Sequence, residues 1–238
     1  MKTKQTLIAL AVSTLVAAPA FATEHDPCDY CDAATARVFD VQIGVGNYVY
    51  NEGVTNSASV NNRVLQNANG NIGLNVAAGS NNQQANAAAL ADAQFSFGGA
   101  AASIGAVQVS GFNDTVNVPA WDYWYWYQST TNTASMNDRA LQNVSGNVGV
   151  NIAAGDGNQQ KNDLAIANAS NYWYYSSAEA STGASQGTFG NSTYSFDTYN
   201  TASMNNCAMQ NASGNIGVNI AAGSGNQQFN GLSLATAH

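Results

Sequence analysis

Residues 71–78 alternate strictly between apolar side chains and polar or small ones. This is the period of a β-strand, because successive side chains of a strand point to opposite faces. A shorter alternation at 58–61 precedes the stretch, and a third segment follows from Gln83. Gly70 and Gly79 stand at the boundaries beside Asn or Ser, residues that adopt turn conformations easily. The pattern predicts three strands separated by two turns.

The whole stretch occurs three times without a gap, at residues 56–86, 132–162 and 200–230. The segments between the copies differ in length and sequence, so we take the repeat as the structural unit. Seventeen of the 31 aligned columns are identical, and most of these are Asn, Gln or Gly. The copies therefore predict three similar layers that stack on one another.

Amide side chains give this stacking a physical reason. When identical strands stack about 4.7 to 4.8 Å apart, each Asn or Gln donates to its equivalent on one side and accepts from its equivalent on the other. We expect such ladders from eight columns, formed by Asn61, Gln66, Asn67, Asn71, Asn75, Asn82, Gln83, Gln84, Asn137, Gln142, Asn143, Asn147, Asn151, Asn158, Gln159, Gln160, Asn205, Gln210, Asn211, Asn215, Asn219, Asn226, Gln227 and Gln228. We expect turns at Gly70, Gly79, Gly146, Gly155, Gly214 and Gly223.

The predicted fold is all-β: a cross-β or β-solenoid arrangement of three stacked repeat layers, with irregular linkers that loop out between them. The repeats contain no aromatic residue except Phe229, so a single layer has little apolar surface to bury. Ordering a chain costs roughly 1 to 2 kcal/mol per residue in backbone entropy. We therefore expect a free monomer that is largely disordered and a stacked form that is stable.

The run GNIGVNIAAGSGNQQ at residues 214–228, with its two counterparts and unequal linkers, resembles the subunits of Fap-type functional amyloid. These subunits form fibres that some bacteria assemble outside the cell in biofilms. The resemblance implies a secreted structural subunit that self-assembles into extracellular cross-β fibres supporting the biofilm matrix and adhesion. It also implies other fibre subunits, a periplasmic chaperone and an outer-membrane export pore as partners, and no cofactor.

The position of the CxxC motif leaves the subunit type open. The family's principal subunit carries CxxC near its C-terminus, whereas CDYC lies at residues 28–31 here. Both a major fibre subunit and a minor or nucleating subunit fit the resemblance. A monomeric β-solenoid adhesin is a further alternative.

Residues 1–22 have the features of a secretory signal peptide: Lys2 and Lys4, an apolar core at 7–18, and the small-residue pattern before Thr23. The apolar core is too short to span a bilayer stably. We expect cleavage before Thr23, passage through the periplasm and no membrane insertion. The remaining boundaries are an acidic N-terminal segment at 23–55 with a strand at 41–52, linkers at 87–131 and 163–199, and a tail at 231–238 that extends the last strand.

Acidic residues up to Asp40 indicate that the mature N-terminus is a solvated tail. Within it, Cys28 and Cys31 indicate a local disulfide or a redox-handled thiol pair in an exported protein. His25 would supply a third metal ligand, but no fourth is evident, so we predict no metal site. Cys207 is a candidate for pairing between subunits.

All four tryptophans lie in the linkers, within WDYWYWY at 121–127 and YWYY at 172–175. One interpretation is an exposed patch that stacks on sugar rings, since exposed aromatic patches mark interaction sites. The other is a further strand that packs against the solenoid or a neighbouring subunit. The sequence leaves both open.

Loss of Lys2 and Lys4 takes the formal net charge from −8 to −10, and only 8% of residues are charged. The chain therefore has little electrostatic protection against self-association, and its acidity argues against nucleic acid as a partner. Parallel β-helix enzymes that act on polysaccharides share repeated Asn ladders, but they need clustered carboxylates or basic residues. No column of the repeats gathers two carboxylates, so we expect no enzyme.

Overall fold

The computed structural model describes residues 34–94, 99–121, 127–170 and 177–237. These ranges form 17 β-strands, most of which belong to three layers of five strands each. Every pairing between layers is parallel. No helix in the described part of the chain is long and apolar enough to cross a membrane.

The layers follow the chain in order. Layer 1 consists of β1 (Ala34–Val45), β2 (Tyr48–Glu52), β3 (Thr55–Val60), β4 (Asn69–Val76) and β5 (Gln83–Gln94). Layer 2 consists of β6 (Ala100–Gly111), β7 (Asp114–Val118), β10 (Thr130–Met136), β11 (Ser145–Ile152) and β12 (Gln159–Ser170), with two short strands, β8 (Ala120–Trp121) and β9 (Tyr127–Gln128), inserted after β7. Layer 3 consists of β13 (Ala178–Phe189), β14 (Ser192–Ser195), β15 (Thr198–Met204), β16 (Ser213–Ile220) and β17 (Gln227–Ala237).

Equivalent strands of the three layers pair in register and form five three-stranded sheets with layer 2 in the middle. In one of these sheets Asn71 pairs with Asn147, and Asn147 pairs with Asn215. The predicted all-β stack of three layers is therefore confirmed. Each repeat also forms the three predicted strands, which are β3, β4 and β5 in layer 1.

The segments expected to be irregular linkers instead contain strands. Each layer begins with two strands ahead of its repeat, such as β6 and β7 in the first linker and β13 and β14 in the second. The single strand expected at 41–52 is two strands, because the chain turns at Gly46 with φ 69°. Asp40, expected in a solvated tail, lies within β1. The structural unit is thus about twice as long as the repeat, and β17 extends the last strand as predicted.

Two hydrophobic cores run through all three layers. The first lies between β3, β4 and their equivalents, and its centre includes Val60, Met136 and Val150. The second lies between β1, β5 and their equivalents and consists mainly of alanines such as Ala89 and Ala165. Small side chains on both faces let these two sheets approach closely.

The corner between β3 and β4 bends through left-handed backbone. Positive φ angles recur at the same four positions of every layer, which in layer 1 are Asn62, Arg63, Leu65 and Asn67. Such conformations are costly for residues other than Gly and Asn. Backbone bonds between layers offset this cost, for example from Leu141 N to Val64 O at 2.9 Å and from Met209 N to Ala140 O at 2.8 Å. Stacking therefore stabilises the corner.

The middle layer contains a ten-residue insertion. Paired residues of layers 1 and 2 are 66 positions apart up to β7 but 76 apart from β10 onward, and the spacing to layer 3 falls from 78 to 68 at the same place. The insertion carries the WDYWYWY run, most of which lies outside the described residues, as does YWYY at 172–175. Both interpretations of the aromatic runs remain predictions.

Candidate self-assembly site

Hydrogen-bonded amide columns connect the three layers. Seven of the eight predicted columns run unbroken through them, with N···O distances of 2.6 to 3.1 Å: the columns that begin at Gln66, Asn67, Asn71, Asn75, Asn82, Gln83 and Gln84. Each middle amide donates to one neighbouring layer and accepts from the other. In four of these columns the middle amide has no exposed surface: Asn151, Asn158, Gln159 and Gln160.

The eighth predicted column behaves differently. The side-chain oxygens of Asn61 and Asn137 are buried without a hydrogen-bond partner, and Asn205 lies in the same position of layer 3. At this position the main chain makes the contact between layers, from Asn137 N to Val60 O at 2.9 Å and from Asn205 N to Met136 O at 2.9 Å. A column of identical asparagines therefore does not by itself make a ladder.

Sequence reasoning missed four further columns. Asn56, Asn132 and Asn200 form one ladder at 2.8 to 2.9 Å, and Asn86, Asn162 and Asn230 form another at 2.9 Å. Both sets are the end positions of the repeats, where their identity in all three copies was a usable signal. The others lie ahead of the repeats. The column that begins at Gln42 has an amide in all three layers, and the column that begins at Asn51 continues through Asn117 to the hydroxyl of Ser195. Aligning those segments with a ten-residue gap would have found them.

The predicted turn glycines serve two purposes. Gly70, Gly146 and Gly214 have φ of 103°, 109° and 103°, a region that side chains other than glycine rarely adopt. Gly79 combines a φ of 66° with a close approach, because a Cβ there would lie 2.6 Å from Asn56 Oδ1. At Gly155 and Gly223 a Cβ would collide with the amides of Asn132 and Asn200. These glycines leave room for the Asn56 ladder.

A charged cluster lies between layers 1 and 2, in which Lys161 and Asp163 are fully buried and the side chain of Asp40 is 28% exposed. The side chain of Lys161 in β12 has no exposed surface, and its ammonium group contacts the carboxylate of Asp40 in β1. Its Nζ also lies 3.0 Å from Asp163 Oδ1, in its own layer. Burial raises the pKa of Asp163 above its ordinary value of 3.8, even though the neighbouring ammonium opposes this. Sequence reasoning missed this cluster because its members lie up to 121 residues apart.

The two end layers carry the exposed apolar surface. All large hydrophobic side chains that are exposed among the described residues belong to layer 1 or layer 3: Phe39, Ile43, Tyr48, Tyr50, Val64, Leu90, Phe189, Tyr194, Phe196, Tyr199, Met204, Phe229, Leu232 and Leu234. The same two layers present strands with one unpaired edge each, because layer 2 occupies the centre of every three-stranded sheet. Unpaired edges of this kind bind further strands.

Comparison with known proteins decides the family. The functional amyloid protein FapB/FapC family matches residues 34–237. This chain belongs to that family. It is 51% identical over 168 residues to the functional amyloid subunit FapC of Pseudomonas aeruginosa, a match that covers 70% of this chain and 45% of the relative. The chain therefore spans less than half the length of that relative. No solved structure matches the chain.

Membership of the FapB/FapC family confirms the resemblance drawn from the repeats and makes the chain a functional amyloid subunit. The match begins at Ala34, where the described residues also begin. The signal peptide, His25 and the Cys28 and Cys31 pair lie outside the described residues and stay predictions. Cys207 is an exposed free thiol at the corner between β15 and β16.

Proposed function

We propose that this FapB/FapC family member is a secreted structural subunit that polymerises into extracellular amyloid fibres, which support the biofilm matrix and adhesion. The observation that carries the proposal is the set of amide columns that cross all three layers. The seven predicted columns that form ladders end at layers 1 and 3 with an amide that is bonded to a neighbouring layer on one side only, as in the column of Asn75 and Asn219. A second copy stacked on either end would continue every column at the same spacing.

The exposed end layers favour a fibre over a monomeric adhesin. Repeat proteins that act as monomers close their ends with polar capping repeats. Here Tyr50 is 56% exposed in layer 1, and Tyr194 and Leu234 are 59% and 51% exposed in layer 3. Within the described residues neither end layer has a polar cap, so a further copy is the partner that best fits these surfaces.

We extend the proposal to export and partners. The signal peptide at 1–22 directs the chain to the periplasm, where a chaperone keeps it unassembled, and an outer-membrane pore exports it. Other fibre subunits join it outside the cell. We propose a structural role without catalysis, since the repeats supply amides, aliphatic side chains and glycines instead of an acid and base pair.

Assembly of the mature chain, residues 23–238, tests the proposal. We expect a lag phase that preformed fibres abolish, thioflavin binding, and a meridional reflection at about 4.7 Å. The matched control is a chain in which the amide order of all three repeats is scrambled at constant composition, and this chain should assemble much more slowly. A soluble monomer after prolonged seeding, or equally fast assembly of the scrambled chain, would contradict the proposal.

A further inference from the structure

The repeats alone do not specify which layer stacks on which. Positions such as Asn147 find the same residue in the layers on both sides, and the backbone register is the same at both contacts. An amide ladder would form between any two copies of the repeat. A feature outside the identical columns must therefore distinguish the layers, and such a feature lies between the sheets of β1 and β5.

Three facing columns differ from layer to layer at this place. Their residues in layers 1, 2 and 3 are Asp40, Ala106 and Ala184 in the first column, Ala85, Lys161 and Phe229 in the second, and Ala87, Asp163 and Gly231 in the third. Layer 2 thus contributes a cation and an anion, layer 1 contributes one anion, and layer 3 contributes no charge. Each layer therefore has a different set of side chains at the same point of the fold.

The cation is directed toward layer 1. Lys161 is fully buried, and its ammonium group contacts Asp40 across the boundary between layers 1 and 2. In the position of Asp40, layer 2 has Ala106 and layer 3 has Ala184. If layer 2 met any layer other than layer 1 on this face, Lys161 would lose one of its two carboxylates inside the protein. Breaking a buried ion pair in this way is strongly destabilising.

We infer that Lys161, through Asp40, specifies the order of the layers, so that copies of this chain join only by stacking layer 3 of one copy on layer 1 of the next. This inference rests on the proposed function. It adds which layers form the contact between copies, here called the joint, and the direction in which the copies stack. Both faces of layer 2 are occupied within the chain. A flipped copy would run its strands in the opposite direction and bring unlike residues together, so the identical columns require a polar stack.

A disulfide between Cys207 of one copy and a cysteine placed at position 63 of the next would show directly which layers meet at the joint. Arg63, Arg139 and Cys207 occupy the same corner position of layers 1, 2 and 3, with φ angles of 61°, 59° and 60°. Cys207 shows that this position accommodates cysteine. In a stack of layer 3 on layer 1, Cys207 of one copy lies one layer spacing, about 4.8 Å, from position 63 of the next. This is within the Cα separation of about 4.4 to 6.8 Å that a disulfide needs.

The reporter is the chain with Arg63→Cys in a Cys28→Ser, Cys31→Ser background. Its fibres are oxidised, dissolved in formic acid and separated by non-reducing electrophoresis. We expect a ladder of covalent oligomers, since each chain is linked on both sides. The background chain that keeps Arg63 should give no covalent dimer, whereas a layer 3 to layer 3 contact would give one through Cys207. Fibres without a ladder would overturn the inference and leave the proposed function standing, whereas absence of fibres would count against both.

The role of Lys161 is tested by moving its partner. In the reporter, Asp40→Ala combined with Ala106→Asp transfers the carboxylate from layer 1 to layer 2 and keeps the buried charges paired. We expect fibres to form and the yield of trimers and larger oligomers to fall roughly tenfold, because the layers are no longer distinguished. The matched control is Glu52→Val with Val118→Glu, which moves an exposed carboxylate between the same two layers. Its ladder should be unchanged.

A second variant covers the case in which the moved carboxylate prevents assembly. Asp40→Ala, Lys161→Met and Asp163→Ala together remove all three charges, and such apolar replacements are often neutral or stabilising. Fibres with a ladder reduced to the same extent would support the inference. An undiminished ladder in either variant would overturn it, and so would failure of both variants to form fibres, which would make the cluster a requirement for folding alone.

Discussion

The middle layer and the end layers are built from the same repeat but differ in burial. Val150 and Asn151 in layer 2 have no exposed surface, whereas Leu74 is half-buried and Asn75 is exposed at the same positions of layer 1. The sequence is nearly identical, so the difference comes from having a neighbour on two sides instead of one. The comparison shows that the inward side chains of a layer are fully buried only when a further layer covers each side. In a single chain, layer 2 alone meets this condition.

Substitutions in the hydrophobic core should have the largest effect on fibre stability, and they test whether the middle and end layers become equivalent in a fibre. We expect Val150→Asp in layer 2 and Val218→Asp in layer 3 to destabilise fibres equally, by about 3 kcal/mol or roughly 100-fold in the concentration of soluble chain. The reason is that both positions have layers on both sides in a fibre, although Val218 is half-buried in the single chain. The measurement is the soluble concentration at equilibrium with fibres. If Val218→Asp had a mild effect while Val150→Asp had a strong one, the end layers would stay exposed in the fibre.

Amide substitutions should sharpen the comparison between buried and exposed ladders. Asn151 donates to Asn75 Oδ1 at 3.0 Å and accepts from Asn219 at 2.9 Å in a site without exposed surface. We expect Asn151→Ala to cost about 2 to 3 kcal/mol, because its partners are left without hydrogen bonds. Asn143 makes the equivalent ladder in an exposed column, so Asn143→Ala should cost about 1 kcal/mol or less. Equal soluble concentrations of the two variants would contradict a burial-dependent ladder.

A glycine pair in the turn of layer 2 tests the fit around one ladder. A Cβ at Gly155 would collide with the amide of Asn132, whereas a Cβ at Gly157 would lie 3.6 Å from Ser110 Oγ, an ordinary contact. We expect Gly155→Ala to cost roughly 1 to 3 kcal/mol through displacement of Asn132. Gly157→Ala should be nearly neutral. Fibre melting in denaturant compares the two, and an equal loss in both would place the effect in the turn backbone instead.

The smallest expected effect is a pH dependence of the buried cluster, where Asp163 faces Lys161 and Asp40. Folding raises the pKa of the Asp163 carboxyl above its ordinary value of 3.8. The protonated carboxyl therefore contributes its full stabilisation below pH 3.8, and this contribution is lost as the pH rises through the pKa of the folded chain. We expect Asp163→Asn to remove this loss. The difference in stability between the variant fibres and the parent fibres should therefore shift in favour of the variant as the pH rises above 3.8, on top of the constant effect of removing this partner of Lys161. A relative loss over that range would mean that the ion pair with Lys161 outweighs burial.

The repeat strands and most ladders could be predicted because their columns are identical and free of gaps. Of the strands ahead of the repeats, only one at 41–52 was predicted. The outward positions of these strands vary widely, as Tyr48, Asp114 and Ser192 show in one column. Few constraints act on a side chain that points to solvent, so only inward residues such as Gln42 kept their identity.

The charged cluster was beyond sequence reasoning for a different reason. Lys161 shares its column with Ala85 and Phe229, so nothing in the aligned repeats marks it as buried. Asp40 lay in a stretch whose acidic composition predicted a solvated tail. Only the packing of β1 against β5, together with the pairing of β5 and β12, brings the two together.

The most direct test of stacking by whole chains is the mass per length of fibres made from the mature chain, measured by dark-field electron microscopy. Three layers about 4.7 to 4.8 Å apart predict one chain for every 14 Å or so of a single filament. One chain for every 4.7 Å or so would mean that each molecule contributes a single layer, and would contradict the three-layer subunit.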